Sequence, residues 1–248
     1  MQMGTVTRLI VATSLLIAPA VSTFAQAVPD PSGHWSGAIH VPPFNGAGAR
    51  EVGIEIDLAK NDNGTVDGRF SQPEQNVKGL PLSNVSVNGR SIAFELKASN
   101  GGGLFRGTLA DAGVISGEFV TTEGGYNIPF DLKRAGDAHI APAPRSAPIG
   151  KELEGHWSGT IDLSGKSELL VLKMTNNADG TATGTIVDLD GSNVEIPVAL
   201  TQKASNLTVA VPAVGATYAA VLNAGGELVG TWTQGPLSLP LTFKRGTK

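Results

Sequence analysis

The chain carries its pattern twice. Gly33-His34-Trp35-Ser36-Gly37 returns as Gly155-His156-Trp157-Ser158-Gly159. Ile128-Pro129-Phe130-Asp131-Leu132-Lys133-Arg134 returns as Leu239-Pro240-Leu241-Thr242-Phe243-Lys244-Arg245. A beginning and an end that recur together mark a module of roughly 90–100 residues, and two modules fill most of the sequence.

Between the copies lies Ala141-Pro142-Ala143-Pro144-Arg145-Ser146-Ala147-Pro148. Alternating Ala-Pro favours extended polyproline II, and proline cannot donate to a sheet ladder. The expected organisation is a leader over 1–27, a first module over 28–134, a semi-rigid linker over 135–154 and a second module over 155–248. The two modules are expected to have separate cores, with docking left open.

Inside each module the pattern is that of short strands. Gly, Asn and Asp turn signals recur, as in Asn61-Asp62-Asn63-Gly64, Asn88-Gly89 and Ala112-Gly113. Ile54, Ile56 and Leu58 alternate with Glu55 and Asp57, and Ile92, Phe94 and Leu96 share a face against Ser91, Glu95 and Lys97. Eight strands are expected in the first module, near 34–41, 51–60, 65–72, 80–87, 91–98, 103–110, 114–121 and 126–134. Leu170, Leu172 and Met174 repeat the second of these.

Each module is also doubled within itself. Gly-x3-Gly followed by Phe, Ile or Trp occurs at Gly64/Gly68/Phe70, Gly113/Gly117/Phe119, Gly180/Gly184/Ile186 and Gly226/Gly230/Trp232. An apolar-Pro-apolar triplet follows each, at Pro81, Pro129, Pro197 and Pro240. Proline at these places marks the borders of imperfect seams. The fold expected is all-β: two tandem antiparallel up-and-down barrels of about eight strands, because closure removes the edges that an exported β-protein must protect. Gly37, Gly68, Gly107 and Gly117 share a face with Trp35, Phe70, Phe105 and Phe119. They leave room for rings to lie over them and for strands to coil. Eight strands enclose a space that side chains can fill, so a packed core and a ligand cavity both remain open.

The first residues read as a targeting segment. Arg8 precedes an apolar run from Leu9 to Val21, and Ala25-Gln26-Ala27 has the small-x-small pattern of a cleavage site. The run is about 13 residues, short of the roughly 20 that span a bilayer. With no cysteine there is no lipid anchor, no disulfide and no thiolate for zinc or for nucleophilic attack. An exported, periplasmic or secreted protein is expected, with no transmembrane segment in the mature chain. Loss of Arg8 with the leader takes the formal charge from −4 to about −5. That weak acidity argues against nucleic acid, which demands basic stripes, as a partner.

Catalytic and metal patterns are weak. A nucleophile elbow requires Gly-x-Ser-x-Gly on a strand–turn–helix, and Gly-His-Trp-Ser-Gly places its serine one position late. His34 and His40 share a strand face but stand roughly 20 Å apart, too far to hold one ion, so neither metal nor cofactor is expected. Asp188-Leu189-Asp190-Gly191 opens like a calcium loop, yet position twelve is Ala199, and a turn accounts for it. No enzymatic activity is expected.

Two family resemblances follow from these residues. Gly33-His34-Trp35 with Arg134, and Gly155-His156-Trp157 with Arg245, resemble the calycin signature of lipocalins and fatty-acid-binding proteins. The resemblance implies a guanidinium over the indole at a barrel end. Trp157-Ser158-Gly159, Gly215-Ala216-Thr217-Tyr218 and Gly230-Thr231-Trp232-Thr233-Gln234-Gly235 running to Leu239-Pro240-Leu241 resemble the small β-domain ahead of the catalytic domain in secreted bacterial α/β-hydrolases. Ser71-Gln72-Pro73-Glu74-Gln75 and Gly79-Leu80-Pro81 carry it in the first module. The second module departs from the pattern at Asp188-Leu189-Asp190-Gly191. This resemblance implies an accessory, non-catalytic role, here as a tandem pair without the hydrolase.

The functional expectation is a binding or interaction protein that holds a small apolar ligand or a cell-envelope partner. The alternative is a structural or accessory module for a separately encoded hydrolase. The residues expected at barrel mouths and loops are Trp35, Arg134, Trp157, Arg245, Trp232 and Tyr218, together with Phe44 in the apolar loop Val41-Pro42-Pro43-Phe44.

Overall fold

Alternating burial along most strands settles which face turns inward, and antiparallel pairing of sequence neighbours does the rest. The computed structural model describes residues 29–246 apart from 45, 99–100, 111–112 and 164. The leader over 1–27 therefore lies outside the described residues. The first module contains β1 (Gly33–Val41), β2 (Arg50–Lys60), β3 (Val66–Gln72), β4 (Val77–Pro81), β5 (Ser83–Asn88), β6 (Ser91–Leu96), β7 (Gly103–Ala110), β8 (Val114–Thr121) and β9 (Asn127–Gly136). The second contains β10 (Gly155–Leu163), β11 (Lys166–Asn176), β12 (Ala182–Asp188), β13 (Ile196–Lys203), β14 (Asn206–Val211), β15 (Ala216–Leu222), β16 (Leu228–Gln234) and β17 (Leu237–Arg245).

The protein is two tandem antiparallel barrels. The second is closed, with β17 returning to β10. In the first, the sheet runs β4-β3-β2-β1-β9-β8-β7-β6-β5, and its two ends are halves of one bent strand. The bend lies at Leu82, whose N–H still donates to Gly68 O at 3.0 Å. Beyond it Asn84 takes a left-handed φ of 50°, and the β5–β6 register shifts. The equivalent β13 stays whole: Ile196, Pro197 and Val198 pair with β12, and Ala199 to Lys203 pair with β14. So both modules have eight strand positions, and the proline-marked seam is imperfect in the first.

Both interiors are filled by side chains. In the first barrel the Phe105 ring stacks on Phe94 at 4.9 Å, lies 4.5 Å from Phe119 and meets Phe130 edge-on at 5.1 Å. A Cβ at Gly103 would strike the Phe119 ring, and Cβ atoms at Gly37 and Gly117 would strike the carbonyls of Asp131 and Arg106. These glycines permit ring-over-strand packing and tight coiling. In the second barrel Tyr218 is fully buried, its hydroxyl 2.7 Å from Leu228 O and 3.1 Å from Leu241 O. Burial pushes that phenol's pKa up.

One device closes the same end of both barrels. The residues before β1 and before β10 fold across the barrel, and the indole of the first strand donates to them: Trp35 Nε1 to Pro31 O and Trp157 Nε1 to Leu153 O, each at 2.9 Å. The arginine of the last strand then lies over the ring, Arg134 at 4.6 Å and Arg245 at 4.7 Å from the centroid. Arg134 donates to the carbonyls of Asp30 and Ser32, and Arg245 to those of Glu152 and Glu154. Gly33, at φ 152°, leaves space where a Cβ would meet the Arg134 guanidinium.

The linker is anchored instead of free. Ile149 and Leu153 are buried in the second core. Ser146, despite Pro144 and Pro148, bridges Ala182 through two 2.9 Å backbone bonds. The bridge uses Ser146's own N–H and C=O, which the flanking prolines leave intact. Each barrel has its own core, and the two cores meet. A 3₁₀ turn, Pro212–Val214, presses Ala213 into the first core, while Ile196 and Val214 pack against both. The barrels therefore dock through apolar contact.

Replacing Arg245 with Ala removes a ring contact worth about 0.5–2 kcal/mol and hydrogen bonds worth about 1 kcal/mol each. The expected loss is about 1–3 kcal/mol in urea denaturation, with Arg245→Lys recovering only part, since a lysine cannot hold two carbonyls in a planar fork. Full recovery by Lys would mean that charge alone closes the end.

Candidate functional site

Two concavities follow from the docking. The first is a cavity of about 280 Å³ at the mouth of the second barrel, where β4 of the first barrel lies across the opening. Leu170, Ile186 and Trp232 line it from the second barrel, and Val77, Leu80 and Ala98 from the first. Into this apolar setting projects Glu168, which is only 3% exposed. Its place on β11 explains this: Glu168, Leu170, Leu172 and Met174 are the inward residues of one strand. Burial first, then the charge of Asp188, pushes the Glu168 pKa up, against a weaker opposite pull from Lys166 at 3.5 Å. Asp188 itself accepts from the backbone N–H groups of Asp190 and Gly191, so the sequence that opened like a calcium loop is a side-chain-stabilised turn.

The second concavity is a cleft of about 470 Å³ under the Ala-Pro linker, on the outer face of the first barrel. Register builds its floor. His34 on β1 stands opposite Asp57 on β2, which stands opposite Arg69 on β3, which stands opposite Pro81 on β4. His34 Nδ1 lies 3.0 Å from Asp57 Oδ1, and the same oxygen accepts the His139 backbone N–H at 2.8 Å. The linker thus covers Asp57 and leaves it 7% exposed. The His34 and His139 rings meet edge-on at 6.0 Å.

The residues expected from sequence separate. Trp35, Trp157 and Tyr218 are fully buried core residues, and Arg134 and Arg245 cover the closed ends. Trp232 reaches the cavity. Phe44 is 56% exposed and pairs with Tyr126 at 5.7 Å, away from both concavities. His40 is held by Asp131 at 2.5 Å, and this hydrogen bond keeps its pKa above the ordinary imidazole value. Glu168, Asp57 and His139 escaped the sequence reading. A charged residue at an inward position of β11 was the available signal for Glu168; the other two need the path of the linker. Among the described residues no helix is long and apolar enough to cross a membrane.

No family model matches the chain, and no curated protein matches it significantly. Among solved structures it is similar to a candidate outer membrane protein of Bacteroides fragilis, at 10% identity over 86% of this chain and 95% of that one, with a TM-score of 0.30. It is also similar to a protein of unknown function of the DUF3598 family from Nostoc punctiforme, at 14% identity over 88% and 96%, with a TM-score of 0.24. Likeness at this level carries nothing about function to this chain.

The raised Glu168 pKa has a defined consequence. A carboxyl that holds its proton more tightly when folded adds stability below its unfolded pKa, and that stability fades as pH rises through the folded value. Glu168→Gln is therefore expected to be more stable than the parent at pH 7 and to flatten the decline above about pH 4.3, the ordinary Glu value. Denaturant midpoints between pH 4 and pH 8 test this; parallel profiles for the two proteins would show that Glu168 is not the group involved.

Proposed function

We propose that this chain is an exported, non-catalytic binding protein that holds a small, mainly apolar ligand between its barrels. The observation that carries this reading is the cavity at the second barrel's mouth, mainly apolar, with the buried Glu168 carboxyl beside Asp188 at one side and Lys97 and Gln234 among its other polar residues. Small-molecule sites combine these two elements: apolar walls supply affinity, and one placed polar group fixes orientation. At about 280 Å³ the space lies just below the roughly 300–1,000 Å³ common for such sites, which points to a small ligand. The ligand favoured is one with a hydrogen-bond donor, such as an amine, to meet Glu168. The accessory role implied by the hydrolase-domain resemblance is the second reading; the filled barrel interiors favour it, because a spacer needs no internal cavity.

The neutral fluorophore 1-aminoanthracene, an aromatic amine, is a suitable probe. Saturable emission enhancement at one site per chain is expected. Ala98→Trp, which adds bulk from the rim of the first barrel, is expected to weaken it at least tenfold, or about 1.4 kcal/mol, with an unchanged melting point. Absence of saturable binding, or equal affinity in the variant, would leave the accessory reading standing.

A further inference from the structure

We propose that His34, Asp57 and His139 form a binding site for a zinc-class divalent cation, separate from the apolar cavity. The argument begins with donor type. Two imidazoles and one carboxylate suit zinc, copper(II) or nickel(II), and three protein ligands leave further positions for water. The three side chains each offer a ligand atom, and these atoms lie within 4.8 Å of one another. Two donors bound to one tetrahedral zinc at about 2.0–2.1 Å stand about 3.3 Å apart. His34 Nδ1 and Asp57 Oδ1 are already 3.0 Å apart. Only the His139 ring has to close in, and it is exposed on the linker and able to turn.

The fold supports this arrangement. His34 and Asp57 are fixed as register partners on adjacent strands. The linker is held over them by the His139 backbone bond to Asp57. Burial of the carboxylate favours a cation, because a buried charge is stable only when paired or coordinated. The duplicated module supplies an internal comparison. At the matching position of the second barrel, His156 stands opposite Lys173, so a cation replaces the carboxylate and the same set of ligands is missing there. The sequence pairing of His34 with His40 was too long for one ion. The linker supplies a second histidine that spacing along β1 could not.

The test uses the chain with both modules, stripped with EDTA and titrated with zinc sulfate against a chromophoric chelator. One zinc per chain is expected. His139→Ala keeps the backbone bond to Asp57 and removes only the ring, so the fold is retained while affinity falls. The expected fall is about 100-fold or more, beyond the roughly 10–100-fold that outer-shell losses cost. Asp57→Asn gives a second reading of the same site, and cobalt(II) visible absorption reports the loss independently of stability. His40→Ala and His156→Ala are expected to bind as the parent does. Absence of stoichiometric zinc, or binding unchanged in His139→Ala, would overturn the proposal. So would binding lost in His40→Ala alone, which would place the ion at His40, Glu51 and Asp131.

Discussion

An up-and-down barrel closes only if its last strand returns to its first; here β9 pairs with β1 and β17 with β10, and an arginine over an indole locks each pairing. The same contact seals one barrel end, since Arg134 and Arg245 also hold the carbonyls of the segment that crosses beneath. Much else depends on it. The crossing segment of the second barrel is the end of the linker, so closing that barrel also fixes the linker: Ile149 and Leu153 enter the core, and Gly150 N–H reaches Gln202 at 2.6 Å. A linker fixed at one end and tied to Asp57 at the other leaves the barrels little freedom to separate. Its composition suggested a spacer; its anchoring makes it a strap.

The docking that results produces surfaces which neither barrel has alone. The cavity at the second mouth exists because β4 lies across it, and the cleft exists because the strap crosses β1 to β4. The short turn at Pro212–Val214 does comparable work by pressing Ala213 into the neighbouring core. Binding sites at module boundaries are common for this reason: two rigid surfaces meet imperfectly, and the gap is lined by whatever each was already presenting.

The barrels themselves were legible because their determinants are local. Alternation in Ile54-Glu55-Ile56-Asp57-Leu58 sets the inward face, glycines mark the turns, and the Gly-x-Trp and Arg pairs announce closure. Strand ends agree with the sequence reading to within a few residues, and the bend at Leu82 falls beside the proline expected to mark a seam. The site groups were not legible, because their placement is non-local. Asp57 reads as any outward residue until the strap covers it, and His139 reads as part of a spacer. Trp35 and Trp157 drew attention as large aromatics, yet a fully buried indole with its N–H satisfied is doing structural work.

A duplicated module separates what the scaffold needs from what it carries. Of the positions that both copies keep, Gly33 and Gly155, Trp35 and Trp157, and Arg134 and Arg245 belong to barrel closure, whereas His34 and His156 are kept but meet different partners, Asp57 and Lys173. Three residues at which the copies diverge in charge, Asp57, Glu168 and Asp188, line the two concavities. Register matches Val52 with Glu168, Gln72 with Asp188, and Asp57 with Lys173. Placing a carboxylate inside a barrel mouth costs stability, as the raised Glu168 pKa records, and the scaffold supplies no packing reason for it, since Val52 fills the equivalent place in the first copy. Burying Asp57 beneath a strap is costly in the same way without its two donors. Charge that the shared fold does not require, held where the fold must compensate for it, sets Asp57 of the first barrel and Glu168 of the second apart from their twins Lys173 and Val52.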